Sequence, residues 1–534
     1  MWTTLFRIVV AATVLTLCAW ASLTLTSMTA GAASVRGRSS AAERLTRDDG
    51  GGGTIFTDFG MFADDDQDGA DQGGASSGER PNDRQDALTS SGKNNAVDSI
   101  RVTPVVRAVQ KAGPSVLNIQ VGDIVRTPQG PAFRKLGEGS GVIVSEEGLV
   151  LTNWHVVRFK EQLRDAFQCR VKLRDERQFP ARVINTSRAN DLALLLITPE
   201  NDSTQRFPPI EMGDSESLMI GETVIAIGNP RGQVNSVTTG VLSAVGRSLA
   251  VKPPGERQPI HFDTLLQHDA AINPGNSGGG LLDLTGKLIG INTLMQVESQ
   301  NINFAIPVDH VRKVFDQDLL NVSRLAVWFG IDTAERGGRF VVTRVVPGSP
   351  AARAGLQVGD AIDQVGERKT LDSKSYAKAL VTYRVGQRVP LLIQRGEASE
   401  WKSIDAWSRS KGTILEAGGL VVELVDVVKE RNIYRSVLGD LLEAYRFTGG
   451  NFDVLRVIEV EENGPAAKFG LREGDFIVGY IVSHDDFESW LPLTGDIAQL
   501  ASLLQVSEEG RSPRLSVWRA TDGLLSGRMR VRKR

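Results

Sequence analysis

Short apolar runs separated by turn residues fill the middle of the chain. Runs rich in Val, Ile and Leu cover residues 116–121, 141–144, 149–151, 170–173 and 192–197. Many short strands with turns between them are typical of a β-barrel or β-sandwich rather than of alternating βαβ units. One helix precedes them, because Thr103 before Pro104 is a good N-cap and Gly113-Pro114 stops the helix. The pattern predicts a mostly β domain whose order starts near Thr103.

The first 33 residues carry the features of an export signal. Arg7 precedes an almost uninterrupted apolar stretch at residues 8–25, and small residues follow at 30–33. Such a stretch is typical of a secretory signal peptide with an Ala-x-Ala cleavage site. At about 18 residues it is also long enough to remain in a bilayer as a membrane anchor. Both alternatives stay open for residues 1–33, and either one predicts that the rest of the chain is exported.

Residues 34–100 have the composition of a flexible acidic linker. They contain four consecutive glycines at 50–53, three consecutive aspartates at 64–66 and many further Ser, Asp and Gly residues. Such a segment cannot bury enough apolar surface to offset the entropy of ordering it. A small apolar island at residues 55–62 interrupts this composition and is a candidate for docking elsewhere. We therefore expect a tether between residues 1–33 and the folded domains.

The overall composition is that of a globular protein and excludes several functions. The chain has 534 residues, of which 41% are hydrophobic and 23% charged, with 61 Lys and Arg against 64 Asp and Glu. Because these charges nearly cancel, a dedicated nucleic-acid-binding protein is not expected. The two cysteines cannot form a disulfide scaffold, and Cys169 is predicted to be a small buried hydrophobic residue.

Three residues in separate segments have the surroundings of a nucleophilic catalytic site. His155 follows one apolar run, Asp191 directly precedes another, and Ser277 lies in a glycine-rich stretch at residues 273–280. A serine hydroxyl needs a base within hydrogen-bond reach; a histidine supplies it, and a buried carboxylate fixes the histidine tautomer. Glycines beside the serine let backbone N–H groups converge on one point, as an oxyanion hole requires. The order His, Asp, Ser therefore predicts serine-based acyl transfer.

The segments around these residues resemble the HtrA/DegP family of trypsin-like serine proteases, from about residue 103 to 315. The resemblance is carried by the motifs Gly139-Ser140-Gly141-Val142-Ile143, Thr152-Asn153-Trp154-His155, Asn190-Asp191-Leu192-Ala193-Leu194, Ala226-Ile227-Gly228-Asn229-Pro230 and Asp269-Ala270-Ala271-Ile272-Asn273-Pro274-Gly275-Asn276-Ser277-Gly278-Gly279. It implies a mostly β fold with two six-stranded β-barrels at residues 101–320 and the active site between them. It also implies no metal and no organic cofactor.

The same resemblance assigns roles to individual residues. It makes His155 the base, Asp191 the residue that orients it, and Ser277 the nucleophile. The backbone N–H groups of Gly275 and Ser277, with Asn276 between them, would form the oxyanion hole.

Two residues depart from the family pattern near this site. Asn303 stands where the family usually has Gly before Phe304, so Asn303 and Phe304 are the expected specificity-pocket residues and a side chain there would narrow or polarise the pocket. The loop at 294–303 also looks shorter than in typical members. His268 stands where Thr is common, which makes it a second candidate base beside His155. The family's preference for small aliphatic residues at the cleaved bond therefore does not transfer directly.

An internal repeat occupies the C-terminal third. Residues 342–360 return as residues 457–475, at a constant offset of 115. Each copy reads as strand, turn, short helix, Gly turn and strand, and two copies are too few for a solenoid. The copies resemble the PDZ domains that follow HtrA protease domains. The resemblance implies two small α+β PDZ-like domains, at residues 321–410 and at 411–534, the second with an inserted helical segment.

A PDZ domain binds a peptide C-terminus as an added strand and captures its carboxylate with loop N–H groups. In the first copy Trp328-Phe329-Gly330-Ile331 matches that loop, with an ordinary first strand as the alternative. The offset of 115 leads to Glu443-Ala444-Tyr445-Arg446 in the second copy, where Gly is missing and Glu443 would repel a carboxylate. The alternative pairs, Gly418-Gly419 and Gly449-Gly450, lie at other spacings. We therefore expect the second module to be mainly structural.

Residues 528–534, at the C-terminal end of the sequence, are rich in Arg and Lys. The alternation of Arg with apolar residues predicts a strand with solvated Arg side chains. A contact with anionic lipid or with the acidic linker is the alternative.

Together these features predict an exported serine endopeptidase of the periplasm or cell envelope. The resemblance implies cleavage of unfolded or misfolded proteins through an acyl-enzyme, with the first PDZ domain recruiting exposed C-termini. It also implies homotrimers or larger homo-oligomers, and residues 8–25 allow attachment to a membrane. Two alternatives stay open, a protease-like chaperone or adaptor with little turnover and a regulated processing protease with one signalling substrate.

Overall fold

The chain folds into two β-barrels followed by two smaller mixed modules. The computed structural model describes residues 101–163, 166–200, 205–230, 236–251, 258–295, 301–447, 452–484, 487–494, 496–506 and 512–532. The predicted signal or anchor at 1–33 and the predicted linker at 34–100 lie outside these residues. Within the described ranges no helix is both long and apolar enough to cross a bilayer.

The first barrel closes from six strands in the order β1-β2-β3-β6-β5-β4. Its strands are β1 (Val116–Thr127), β2 (Gly130–Ile143), β3 (Leu149–Thr152), β4 (Gln168–Lys172), β5 (Gln178–Ser187) and β6 (Leu192–Ile197). Every residue of β6 is buried, which explains its continuous apolar run. Helix α1 (Pro104–Ala112) begins at the predicted cap, where Thr103 Oγ1 accepts the Val106 N–H at 3.3 Å. Helices α2 (Trp154–Val157) and α3 (Phe159–Leu163) follow β3.

The second barrel closes in the order β10-β11-β12-β9-β8-β7. Its strands are β7 (Thr223–Gly228), β8 (Ser236–Val251), β9 (Ile260–His268), β10 (Gly280–Leu282), β11 (Leu288–Met295) and β12 (Asn303–Pro307), and helix α4 (Val308–Val314) follows. Ile227 and Ile291 of this barrel share one buried apolar cluster with Val142 and Leu151 of the first. The two barrels therefore pack on each other, and the loops that carry the candidate site meet along their joint.

The first small module is a sheet in the order β14-β15-β16-β18-β19, with β17 on β16. Its elements are β13 (Val327–Trp328), β14 (Ile331–Arg336), β15 (Arg339–Val345), α5 (Pro350–Arg353), β16 (Ala361–Val365), β17 (Arg368–Lys369), α6 (Ser373–Leu380), β18 (Arg388–Arg395), β19 (Ala398–Asp405) and β20 (Trp407–Ser408). Arg182 of the first barrel donates to Val381 O at 2.5 Å, and Lys374 Nζ lies 2.6 Å from Asp316 Oδ1. These contacts fix α6 against the protease barrels.

The second small module repeats this strand order as β21-β22-β23-β25-β26, with β24 on β23. Its elements are α7 (Arg409–Gly418), β21 (Leu420–Leu424), α8 (Arg431–Tyr445), β22 (Leu455–Val460), α9 (Pro465–Phe469), β23 (Phe476–His484), β24 (Phe487–Pro492), α10 (Asp496–Val506), β25 (Arg514–Arg519) and β26 (Gly523–Arg528). Helix α8 is inserted between the first two strands of the sheet. The first module has only a tight hairpin at the same place.

The constant offset of 115 does not lead to the matching loop of the second module, because α8 interrupts it, and the alternative pair Gly418-Gly419 is the one that corresponds. The Val346 N–H donates to Gly330 O at 2.8 Å, and the Glu461 N–H donates to Gly419 O at 2.8 Å. Gly419 is therefore the counterpart of Gly330, and residues 443–446 lie at the end of α8 instead.

The loop of the second module commits its N–H groups to a helix end. The Gly419 N–H donates to Leu415 O at 2.9 Å and closes α7. The last turn of a helix also carries the negative end of its dipole. A peptide carboxylate at this loop would meet that negative end rather than free N–H groups. The prediction of a mainly structural second module thus gains support from α7, and not from Glu443.

Helix α7 also joins the two modules by packing on Trp328. A Cβ at Gly412 would lie 2.3 Å from Trp328 Cδ2, so only glycine lets the helix approach this closely. Trp407 stacks on Trp328 with ring centroids 6.3 Å apart. Across the same interface Arg353 donates to both carboxylate oxygens of Glu459, at 2.9 and 2.6 Å. The two modules therefore pack as a pair.

Gly412→Ala should lower the free energy of unfolding by about 1–3 kcal/mol, because the added methyl group overlaps the Trp328 ring. Extra volume in a well-packed interior typically destabilises a protein by this amount. Gly439→Ala is the matched control, since Gly439 lies in α8 and a Cβ there would meet nothing within 4 Å. The control should be neutral or stabilise by up to about 1 kcal/mol. Urea titration measures both values, and equal effects of the two substitutions would contradict the close packing at Gly412.

Candidate active site

Asp191 holds His155 by two kinds of hydrogen bond. The His155 Nδ1 atom lies 2.9 Å from Asp191 Oδ2, and the His155 backbone N–H donates to Asp191 Oδ1 at 3.0 Å. Both residues are nearly fully buried, with 4% and 1% exposure. Because a carboxylate only accepts hydrogen bonds, the proton of a neutral ring sits on Nδ1, and Nε2 is then the unprotonated nitrogen that can act as a base.

Thr293 connects this pair to Ser277, and the sequence analysis missed it. The Thr293 hydroxyl donates to Asp191 Oδ2 at 2.6 Å, while its carbonyl oxygen accepts the Ser277 hydroxyl at 3.5 Å. Thr293 lies on β11 of the second barrel, and Asp191 and His155 belong to the first. The three predicted residues therefore meet at the joint between the barrels. A Thr inside an apolar strand has no signal that separates it from other buried Thr residues.

Ser140 of the first barrel orients the loop that carries Ser277. The Ser140 N–H donates to Ser277 O at 2.8 Å, and the Ser140 hydroxyl donates to Gly275 O at 2.6 Å. Gly275 has φ 99°, a left-handed conformation that favours glycine. With the Gly275 carbonyl held by Ser140, the peptide unit between Gly275 and Asn276 has a defined orientation.

The predicted oxyanion residues differ in what their N–H groups do. The Asn276 N–H donates to Asn273 O at 3.0 Å. The N–H groups of Gly275 and Ser277 have no acceptor among the described residues. The Asn276 side chain is 1% exposed, and neither of its polar atoms has a partner in the described part of the chain. Unsatisfied buried groups of this kind are rare and concentrate at functional loops.

His310 steadies the turn that places Asp191. Asp191 has φ 48° and follows a short 3₁₀ turn, Arg188–Asn190. The Asn190 side chain donates to Ser187 Oγ at 2.9 Å, and its Oδ1 lies 2.8 Å from His310 Nε2. Burial lowers the pKa of His310, and the nearby Lys313 lowers it further. His310 comes from α4 behind the second barrel, so no local sequence pattern could have linked it to Asp191.

Asn303 and His268 lie opposite each other on β12 and β9. Asn303 Nδ2 donates to Ala270 O at 3.0 Å, so its side chain does fill space beside the segment that leads to Ser277. Phe304 alternates to the other face of β12 and belongs to the apolar core with Leu265. The expectation that Phe304 lines the pocket is therefore replaced by Asn303 alone.

The second candidate base, His268, is sealed in the barrel. It is 0% exposed, and its ring nitrogens make no hydrogen bond of normal geometry with the described residues. Burial lowers its pKa to about 4. A neutral, inaccessible ring cannot exchange protons with a substrate, so His155 has the better geometry. Cys169 is likewise buried, and burial raises the pKa of its thiol to about 12, as suits a structural residue.

The loop of the first small module has free donors. The N–H groups of Phe329 and Gly330 have no acceptor among the described residues, and the Phe329 carbonyl accepts the Ala351 N–H at 3.0 Å. Ile331 then starts β14, an edge strand of its sheet. The Trp328 side chain is turned away into the α7 interface. The loop therefore offers backbone donors next to an unpaired strand edge.

Comparison with known proteins places these features among proteases. The Trypsin-like peptidase domain family matches residues 139–291, and the PDZ domain family matches residues 341–395. A Synechocystis sp. protein named as a serine protease, HhoB, is 32% identical over 351 residues, which are 58% of this chain and 80% of that protein. A Pseudomonas putida protein named as a DegP-like periplasmic serine endoprotease is 33% identical over 376 residues, covering 66% and 72%. A solved serine endoprotease from Yersinia pestis is 32% identical, covering 57% and 98%, at a TM-score of 0.32.

Acid should destabilise the second barrel through His268. The pKa of His268 is about 4 in the folded chain and 6.5 in its ordinary state. Between these values the unfolded chain binds more protons, so the free energy of unfolding falls as the pH drops, by roughly 3 kcal/mol over the whole window. His268→Gln should remove this part of the pH dependence. The exposed His261 lies on the same strand, and His261→Gln is the control that should keep it.

The measurement is urea unfolding of the three proteins at several pH values between about 7 and 4, the range in which the two states bind different numbers of protons. Parallel pH slopes for the wild type and His268→Gln would show that His268 is not buried as a neutral ring.

Proposed function

The chain belongs to the HtrA/DegP family of serine endopeptidases, and from that premise we propose that His155, Asp191 and Ser277 are its catalytic triad. The observation that carries the proposal is the hydrogen bonding around one carboxylate. Asp191 accepts His155 Nδ1 at 2.9 Å and the Thr293 hydroxyl at 2.6 Å, and Thr293 O accepts the Ser277 hydroxyl at 3.5 Å. One chain of contacts thus links the three residues across the joint.

The first half of the reaction is acylation of Ser277. Its hydroxyl turns from Thr293 toward His155 Nε2, gives up its proton to that nitrogen and attacks the peptide carbonyl. Asp191 stabilises the imidazolium that forms. When the tetrahedral intermediate collapses, the C–N bond breaks and His155 returns the proton to the leaving amine. A water molecule then repeats the sequence and frees the acid product.

The carbonyl oxygen of the substrate becomes negatively charged in the tetrahedral intermediate. Hydrogen-bond donors that are already in position stabilise this charge best. The N–H groups of Gly275 and Ser277 are the candidates, because both lack an acceptor within the described residues. The Ser140 hydroxyl supports this role by holding the Gly275 carbonyl, which belongs to the peptide unit between the two donors. Removing one such donor from an oxyanion hole typically costs about a hundredfold or more in kcat.

We assign the pocket for the residue before the cleaved bond to Asn303. Its amide spans from β12 to Ala270 O, which shortens the pocket compared with a glycine at that place. Small or polar substrate side chains fit a pocket that is shortened by an amide better than long aliphatic side chains do. The cleavage sites should carry that preference.

The substrates we propose are unfolded or misfolded proteins of the cell envelope, as in protein quality control. The free N–H groups of Phe329 and Gly330 and the edge strand β14 support recruitment of exposed C-termini by the first PDZ domain. The names of the relatives support export to the periplasm. From the family we also propose that the chain assembles into homotrimers or larger oligomers. From the sequence we propose that residues 8–25 can attach it to a membrane.

Ser277→Ala should abolish hydrolysis of unfolded casein, because the acyl-enzyme cannot form without the hydroxyl. The residual rate should lie at least about a thousandfold below wild type, which is the scale on which loss of a triad member acts. The measurement is casein hydrolysis with mass mapping of the products, together with labelling of Ser277 by a fluorophosphonate. His268→Gln is the control and should keep the activity.

Two results would contradict the proposal. Retained cleavage in Ser277→Ala would assign the chemistry elsewhere, and absence of cleavage and labelling in the wild type, even with added C-terminal peptides, would favour the chaperone or adaptor alternative. Cuts mainly after long aliphatic residues would leave the triad intact but overturn the assignment of Asn303.

A further inference from the structure

A basic cleft on the second small module has no part in the proposed proteolysis. The cleft has a volume of about 610 Å³ and lies between α9 and the chain that follows β26. Four cations line it: Lys468, Arg528, Arg530 and Arg532. A concentration of positive charge in a concave site focuses the field on an anionic ligand.

Most of these cations have no acidic partner among the described residues. Arg532 pairs with Glu461 at 2.5 Å. Lys468, Arg528 and Arg530 have no carboxylate within 4.0 Å among the described residues. Arg528 lies directly opposite Arg514 in the β25–β26 ladder, but within the described chain only Arg514 of this pair has a carboxylate partner, Glu488 at 2.5 Å. The cations without an acidic partner point to a ligand that neutralises them.

The cations are held on a fixed backbone rather than on a loose tail. Met529, between the two cleft arginines, is 0% exposed in the module core. Its N–H donates to Pro513 O at 3.0 Å, and the Arg532 N–H donates to Ala417 O at 2.9 Å. Because the strand is anchored at both places, Arg528 and Arg530 project from defined positions. A site with fixed donors loses less entropy when it binds.

The cleft also has apolar walls, contributed by Phe469 and Val531. A ligand that fills it should carry apolar side chains next to carboxylates. A bare phosphate would use only the charge, and a flat membrane surface would not enter a concave site. The chemistry therefore fits a short peptide in which acidic and aromatic residues lie close together.

We propose that the chain's own residues 54–68 dock in this basic cleft. This segment contains five aspartates within fifteen residues, namely Asp58, Asp64, Asp65, Asp66 and Asp68. The same stretch holds the apolar island of Ile55, Phe56, Phe59, Met61 and Phe62. Its five carboxylates are opposite in charge to the three unpaired cations, and its aromatic side chains are apolar like Phe469 and Val531.

The intervening chain sets how far residues 54–68 can reach from the described part of the chain. Residues 69–100 separate the segment from the first described residue. A Gly- and Ser-rich chain of that length has a root-mean-square span of about 30 Å, and about 100 Å when fully extended. Distances of this size match the dimensions of small domains. Docking would tie the N-terminal tether to the second module.

The test uses hydrogen exchange of residues 54–68 in the full-length protein, read by mass spectrometry. In the wild type these amides should exchange at least about tenfold more slowly than in a variant with Asp64→Lys, Asp65→Lys and Asp66→Lys. Arg528→Glu combined with Arg530→Glu should accelerate exchange to the same extent. Raising the salt from about 0.05 to 0.5 M should weaken the protection, because exposed charges are then screened.

Two further variants separate docking from general effects of charge. Arg431→Glu with Arg435→Glu is the matched control, since both residues are exposed on α8, and it should leave the protection unchanged. Combining the aspartate-to-lysine and arginine-to-glutamate sets should restore protection, because the charges are exchanged and not merely removed. Casein hydrolysis by each variant checks that the fold is intact.

Three outcomes would overturn the proposal. The first is rapid exchange of residues 54–68 in the wild type, and the second is protection that survives the loss of Arg528 and Arg530. The third is binding of vesicles that contain anionic phosphatidylglycerol, if it depends on the cleft arginines while exchange of residues 54–68 does not. That result would assign the cleft to a lipid surface.

Discussion

The carboxylate of Asp191 is the contact on which the candidate site depends. It accepts hydrogen bonds from the His155 backbone, from the His155 ring and from the Thr293 hydroxyl. A buried charge is costly unless it is hydrogen-bonded in this way, and bonds to a charged group contribute about 1.5–3 kcal/mol each. Two of the donors come from the first barrel and one comes from the second. The carboxylate that orients the His155 ring therefore also links the two barrels.

The surrounding structure serves to keep this arrangement in place. On one side, Ser140 fixes the loop of Ser277 and Gly275 through its N–H and its hydroxyl. On the other, His310 and Asn190 hold the left-handed turn at Asp191. Both supports cross from one element to another that is remote in sequence. The site is therefore a property of the packed barrels, and a single loop could not form it alone.

The sequence predicted the parts of the fold that local pattern determines. The cap at Thr103 and the buried strand β6 follow from the local residue types, and the family motifs pointed to His155, Asp191 and Ser277. Thr293 and His310 could not be predicted, because their importance comes only from contacts made across the joint. The role expected of Phe304 failed for a similar reason, since the alternation of β12 turns its ring into the core. The constant offset of 115 did not lead to the loop at Gly419, because helix α8 is inserted between the first two strands of that module.

The tautomer of His155 tests the account most directly. Nitrogen-15 NMR of protein with labelled histidine, assigned by comparison with a His155→Gln variant, reports which ring nitrogen carries the proton. With the Nδ1 atom 2.9 Å from the Asp191 carboxylate, we predict a proton on Nδ1 and an unprotonated Nε2 in the neutral ring. A neutral ring protonated mainly on Nε2 would contradict the account, because His155 could not then accept the proton of Ser277.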